Sequence, residues 1–276
     1  MAEAALPAER KKRTITEIRD SKRTGEKMVY TSVLDYTSAK WAESAGVDVC
    51  VVGDSLAMTA HGHPNTIPAT MDMMVLHAAA VRRGAPNTFV LGCMPYQSYH
   101  TVERALANAT RFMQEAGCDA VKPQGGKSQA HVLKALVDAG IPTASHIGLT
   151  PHTIAMFGGF KIQGRTADAA MKILEDALAI QEAGCFMLEF EAVPAKIARV
   201  ISQQLEIPTI GIARRQRHRW SDPALVRSAR RIHRLQAQVH QALRQDDGSG
   251  RRGPQGVCGR RALGQVSRRR AQLRRR

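Results

Sequence analysis

The sequence predicts an α/β protein of the (β/α)8 barrel type, and three observations carry that expectation. Apolar runs rich in β-branched residues alternate with amphipathic helical segments up to residue 212, in units of roughly thirty residues. Several helical segments stop on Gly just before the next apolar run, as in "AESAG", "FMQEAG" and "IQEAG". The apolar runs in turn stop on polar or ionisable residues, where a barrel places its chemistry. An open doubly wound sheet usually shows a Gly-rich phosphate turn after its first strand, and none is present.

Strands are expected at 28–35 (MVYTSVLD), 47–54 (VDVCVVGD), 87–94 (NTFVLGCM), 120–124 (AVKPQ), 142–148 (PTASHIG), 185–192 (CFMLEFEA) and 207–212 (IPTIGI). Helical segments fill the intervals at about 38–44, 71–83, 101–116, 129–139, 166–183 and 194–203. The strand ends then deliver Asp54 with Ser55, Cys93, Lys122 with Gln124, His146, and Glu189 or Glu191. Helix capping explains any one of these polar residues taken singly. Convergence of five strands on such types favours a shared site at the C-terminal mouth of a barrel.

Composition bounds the partners. The formal net charge of +16 suggests nucleic acid until its distribution is read. Residues 213–276 hold 19 Arg, no Lys and 3 Asp, and the rest of the chain balances 21 basic against 21 acidic residues. The body is therefore neutral, and neither nucleic acid nor membrane is an expected partner. The five cysteines (Cys50, Cys93, Cys118, Cys185, Cys258) are scattered with no CxxC, which fits a reducing compartment. No run of 18 apolar residues occurs, and the start "MAEAALPAERKKRT" has no apolar core of a secretory signal. The expected location is cytoplasmic, or mitochondrial in a eukaryote. Three segments follow: an extension at 1–13, a barrel at 14–212, and an Arg-rich tail at 213–276.

The stretches "VVGDSLAMTAHGH", "HAAAVRRGAPN", "SHIGLTP" and "FGGFKIQGRT" resemble the ketopantoate hydroxymethyltransferase family, over about 14–212. The resemblance implies a (β/α)8 barrel that uses Mg2+ and 5,10-methylenetetrahydrofolate to hydroxymethylate 3-methyl-2-oxobutanoate. The product is 2-dehydropantoate, on the way to pantothenate and coenzyme A. It also implies a large ring-based homo-oligomer. The chemistry is enolisation: a divalent ion chelating the 2-oxo acid stabilises the enolate, and a base removes the C3 proton. By resemblance Asp54 is a metal ligand, Ser55 and Lys122 contact the substrate carboxylate, and His146 lies close to the substrate. The base maps to Glu191, three residues before Pro194 in "LEFEAVP". Glu189 shares its strand parity and reads as a neighbouring polar residue in the barrel mouth.

Two positions depart from the family pattern. Cys93 stands where the family has a second metal-binding Asp, and Gln124 stands where it has a metal-supporting Glu. Mg2+ prefers hard, charged oxygens, so metal affinity is expected to fall sharply. Two other readings stay open: a relative doing lyase or isomerase chemistry on another 2-oxo acid, and an inactive relative.

The tail also departs from the pattern. The family continues past "IPTIGI" with Gly-Ala-Gly-Asn, whereas this chain switches to Arg. Reading the codons of 214–218 from their second base permits Ala-Gly-Asn-Gly, and family-like segments follow in order. The expectation is out-of-frame sequence from about residue 213, with the eighth βα unit missing or garbled and the tail disordered. A basic arm for nucleic acid or anionic lipid competes, but the tail has a single aromatic residue, Trp220, and no binding motif.

Overall fold

The computed structural model describes residues 11–212. The chain runs α1 (Ile15–Thr24), β1 (Tyr30–Ser32), α2 (Tyr36–Ser44), β2 (Val49–Val52), α3 (Leu56–Thr59), α4 (Met71–Gly84), β3 (Phe89–Cys93) and α5 (Val102–Gln114). It continues through β4 (Ala120–Lys122), α6 (Ala130–Asp138), β5 (Ala144–Gly148), α7 (Ile154–Phe157), α8 (Ala167–Glu182), β6 (Met187–Glu191), α9 (Ala195–Ser202) and β7 (Thr209–Ile212). Each strand expected from the sequence is present, as are the helices expected between them. Three helices were not expected: α1 and the short α3 and α7.

Local signals set the boundaries. Thr70, Thr101 and Thr166 are extended residues whose side chains accept from the backbone N–H three residues on, so α4, α5 and α8 start where they do. Helix α1 opens with a reciprocal capping box between Thr14 and Glu17 and closes at Gly25. It buries Ile18, and Lys22 donates to the Ser202 carbonyl at 2.8 Å, fastening α1 to the end of α9. Lys12 and Arg13, placed in the extension by the sequence, pair with Asp119 and Asp48 of the body.

All the strands pair in parallel, in the orders β1–β2–β3–β4 and β5–β6–β7. The two sheets meet at β4 and β5 through bridges at Val121–Thr143 and Gln124–His146, with Gly125 N–H donating to the His146 carbonyl at 2.9 Å. The ladder thins at this seam for a local reason. Pro123 follows β4 and Pro142 precedes β5, and neither has an N–H to give. Among the described residues no pairing joins β1 to β7; the unit that would stand between them is the eighth, which the sequence reading expects to be missing or garbled. The eighth unit, the tail at 213–276 and the first ten residues of the extension lie outside the described residues. Helices coat the outer face of the strands. On α5, Ala105, Ala109 and Phe112 are fully buried, and the Phe112 ring fills the space that a side chain at Gly92 would need.

Gly148 closes β5 with φ of 91°, and a Cβ there would stand 2.3 Å from the Glu191 carbonyl oxygen. Bare backbone at Gly148 is thus what lets β6 deliver Glu191 alongside it. Gly148→Ala is expected to lower the unfolding free energy by about 2–4 kcal/mol, from strain and overpacking together. Urea denaturation measures this, and an unchanged midpoint would show that the contact relaxes freely.

Candidate active site

Parallel register brings the strand-end residues together. Cys93 on β3 is the register partner of Lys122 on β4. Gln124 bridges to His146 on β5, and His146 is in register with Glu189 on β6. Gly148 is in register with Glu191. Asp54 follows β2 by two residues and is buried with them. The structure therefore assembles Asp54, Cys93, Lys122, Gln124, His146, Glu189 and Glu191 at the C-terminal ends of the strands. Ser55 begins α3, and its hydroxyl makes no capping bond to that helix.

At the centre is a buried ion pair. Lys122 Nζ donates to Glu189 Oε2 at 2.5 Å, with both side chains about 5% exposed or less. Burial works against the Lys122 ammonium, but Glu189 and Asp54 hold it protonated above its usual range. Burial likewise pushes the Glu189 carboxyl up, and the Lys122 and His146 charges outweigh it, leaving Glu189 below the ordinary value. Glu189 is thus not a residue of the mouth, as the sequence suggested, but the deep partner of Lys122. The Lys122 ammonium, assigned to a substrate carboxylate, already carries one carboxylate of its own chain and also meets the Cys93 sulfur.

His146 lies between the two glutamates. Its Nδ1 is 3.7 Å from Glu189 and its Nε2 is 3.0 Å from Glu191, the latter without hydrogen-bond geometry. Glu191 is the more open of the two acids, with 18% of its side chain exposed. Its backbone is fixed on both sides. Its carbonyl accepts from Leu149 N–H at 2.8 Å, and the next residue, Ala192, takes a positive φ of 51°. A non-glycine residue held there marks a turn imposed by its surroundings.

A second network surrounds Asp54, and it includes two residues the sequence reading missed. Gln124 N–H donates to the Tyr99 hydroxyl at 3.1 Å, and that hydroxyl is hydrogen-bonded to His152 Nδ1 at 2.7 Å. The Asp54 carboxylate can only accept, so His152 Nε2–H donates to its Oδ2 at 2.8 Å. Gln124 Nε2 donates to the same Oδ2 at 3.3 Å, while Gln124 Oε1 accepts from His152 N–H at 3.3 Å. Burial would raise the Asp54 carboxyl, but the His152 hydrogen bond and the Lys122 charge hold it low.

These commitments bear on the metal expected at Asp54, Cys93 and Gln124. Burial pushes the Cys93 thiol up to about 12, so at neutral pH it presents S–H and no thiolate. The amide oxygen of Gln124 is uncharged and already accepts from His152 N–H. Among the described residues no three His, Cys, Asp or Glu side chains converge as a cation cage. The set as arranged does not fit a hard divalent ion, which requires charged or free oxygens.

A cavity of about 810 Å3 opens beside this network. Gln124, Tyr99 and His152 wall its inner side, and Tyr96, Met156 and Lys172 its outer side. The "QGG" turn makes room for it: a Cβ at Gly126 would stand 2.2 Å from Asp176 of α8. Tyr99 and His152 lie in the loops after β3 and β5, so the sequence signal for them was position in a βα loop.

A family model described as ketopantoate hydroxymethyltransferase matches residues 12–217. The chain is 86% identical over 209 residues to "3-methyl-2-oxobutanoate hydroxymethyltransferase 1" of Methylibium petroleiphilum, covering 76% of this chain and 71% of that protein. It is 45% identical over 201 residues to 3-methyl-2-oxobutanoate hydroxymethyltransferase of Thermus thermophilus, covering 73% and 76%. Among solved structures, 2,3-dimethylmalate lyase, a PEP mutase/isocitrate lyase superfamily member, matches with TM-score 0.56 at 16% identity, covering 94% of this chain and 98% of that one. Phosphonopyruvate hydrolase in complex with oxalate and Mg++ matches with TM-score 0.56 at 12% identity, covering 95% and 98%. These two likenesses show the fold alone. Among the described residues no helix is long and apolar enough to cross a membrane.

The depressed carboxyls predict an acid limb of stability. Asp54 and Glu189 bind fewer protons folded than unfolded, so their contribution is present above the ordinary carboxylate range, about pH 4. It is lost as pH falls through their lower folded values. Glu189→Gln is expected to flatten that limb in urea titrations. Lys122→Met, which strands Glu189 without a partner, is expected to cost about 3–5 kcal/mol at neutral pH.

Proposed function

The chain belongs to the ketopantoate hydroxymethyltransferase family, and on that premise we propose that it transfers a hydroxymethyl group to C3 of 3-methyl-2-oxobutanoate. The one-carbon donor in this reading is 5,10-methylenetetrahydrofolate, and the product is 2-dehydropantoate. The single observation that carries the reading is the row Glu191–His146–Glu189–Lys122. It sets an accessible carboxylate and a permanent ammonium on either side of one buried imidazole.

The chemistry follows from those charges. Lys122 draws the keto acid's anionic end inward, and its positive charge acidifies C3–H by stabilising the enolate oxygen. Glu191, at the open end of the row, takes the C3 proton. The enolate carbon then bonds to the folate's methylene carbon as one of its two C–N bonds breaks, water replaces the other C–N bond to supply the hydroxyl, and the protons from C3 and from that water go to the two nitrogens of the departing tetrahydrofolate. The donor is bulky, and the 810 Å3 cavity meeting the cluster at Gln124 and His152 has the capacity for it. The resemblance also implies Mg2+; the donor set does not fit it, and no step here passes through a metal.

Exchange of the C3 proton in D2O, followed by NMR, isolates the first step from folate. Glu191→Gln is expected to slow exchange by about 10²–10⁴-fold with the fold intact. Exchange at the unmodified rate in that variant would remove Glu191 from the role. Exchange without product when the folate is added would favour the lyase or isomerase reading.

A further inference from the structure

The disagreement between the expected metal set and the observed bonding is informative in its own right. Asp54 presents one carboxylate oxygen to two N–H donors, His152 Nε2 and Gln124 Nε2. A cation at Asp54 must compete with both donors at Oδ2 or make do with the remaining oxygen, Oδ1. Gln124 could add only an uncharged amide oxygen, which already accepts from the His152 backbone N–H. The His152 ring is fixed from its other side by Tyr99, whose hydroxyl is held in turn by Gln124 N–H. The four residues form a closed ring of hydrogen bonds, and satisfied buried networks of this kind hold a single arrangement. The third expected ligand, Cys93, is in register with Lys122 and buried beside it. A divalent ion between Asp54 and Cys93 would thus stand beside the Lys122 ammonium and would gain only one anionic ligand.

We propose that this chain binds and enolises its 2-oxo acid without a divalent cation. Lys122 Nζ supplies the positive charge at the acid's oxygens, and Asp54 anchors the His152–Tyr99–Gln124 network instead of ligating metal. The inference rests on the reading of the chain as an enolising hydroxymethyltransferase. Its proton balance is complete without further reagents: the C3 proton passes to Glu191, and the enolate oxygen accepts a hydrogen bond from Lys122. His152 and Tyr99 become positioning residues that keep Asp54 turned away from the substrate.

The test uses the unmodified full chain in two measurements. Calorimetric titration of MgCl2, with and without 3-methyl-2-oxobutanoate, is expected to show no saturable heat up to millimolar concentration. C3–H exchange by NMR is expected to run at the same rate after chelation with EDTA as with Mg2+ added. Exchange lost on chelation and restored by Mg2+ would overturn the inference and leave the hydroxymethyl-transfer reading standing. Saturable Mg2+ binding below millimolar would overturn it too. No exchange under either condition would overturn the inference and the reading together. The double variant Cys93→Asp/Gln124→Glu is expected to gain saturable Mg2+ binding. Failure to gain it in a folded protein would show that these two residues are not the reason the site rejects metal.

Discussion

The contact between Lys122 Nζ and Glu189 Oε2 is the constraint around which the site is arranged, because it binds charges from two strands that do not pair. β4 carries the lysine and β6 the glutamate, with β5 between them. The bond passes across the seam where Pro123 and Pro142 leave only isolated bridges between the sheets. Two charges withdrawn from water are worth little to stability as a pair, but each alone is intolerable. Their coexistence therefore fixes how the four-stranded and three-stranded sheets meet. His146, in register with Glu189, is carried to its place by the same contact.

That pair also divides the polar cluster into two networks with different work. On the β5–β6 side, Lys122, Glu189, His146 and Glu191 form a graded row from fully buried cation to accessible carboxylate. On the β2–β3 side, Asp54, His152, Tyr99 and Gln124 satisfy one another and border the cavity. Cys93 sits between them as a neutral thiol, adding no charge to either. With an aspartate at 93, Asp54, Glu189 and the new carboxylate would set three negative charges against the one of Lys122, a stronger invitation to a cation. The thiol leaves two and weakens that invitation.

Much of this was legible from the sequence. The strands could be read from apolar runs that end on polar residues, since parallel strands buried on both faces leave that signature. The residues at those ends could be read because a barrel gathers them at one mouth. Tyr99 and His152 escaped because their approach to Asp54 depends on how the β3–α5 and β5–α8 connections fold back, and no residue spacing encodes that. Helix α1 escaped because it is mostly charged and offers one fully buried apolar residue, Ile18. Its evidence is a capping box, which is a local signal and easily passed over in a segment without apolar periodicity. How far the metal set suits a cation escaped for a related reason. Residue types at 54, 93 and 124 can be named from sequence, but whether their oxygens are free is decided by what else bonds to them.

The two glutamates of β6 show most directly where sequence reading ends. Residues two apart on a strand point the same way, so parity places Glu189 and Glu191 on one face without distinguishing them. Depth distinguishes them. Glu191 lies about 6.6 Å further along the strand towards the mouth, beyond the reach of the Lys122 ammonium and in contact with solvent. Glu189, one layer down, is buried, holds Lys122 through Oε2, and is made a weaker base by that charge. A base must exchange its proton with solvent after each turnover, and only the outer carboxylate has both the freedom and the access. The alternation of a single strand thus sets one acid deep against Lys122 and one open to solvent, the latter the base proposed above, and Gly148 lets β5 lie close against it.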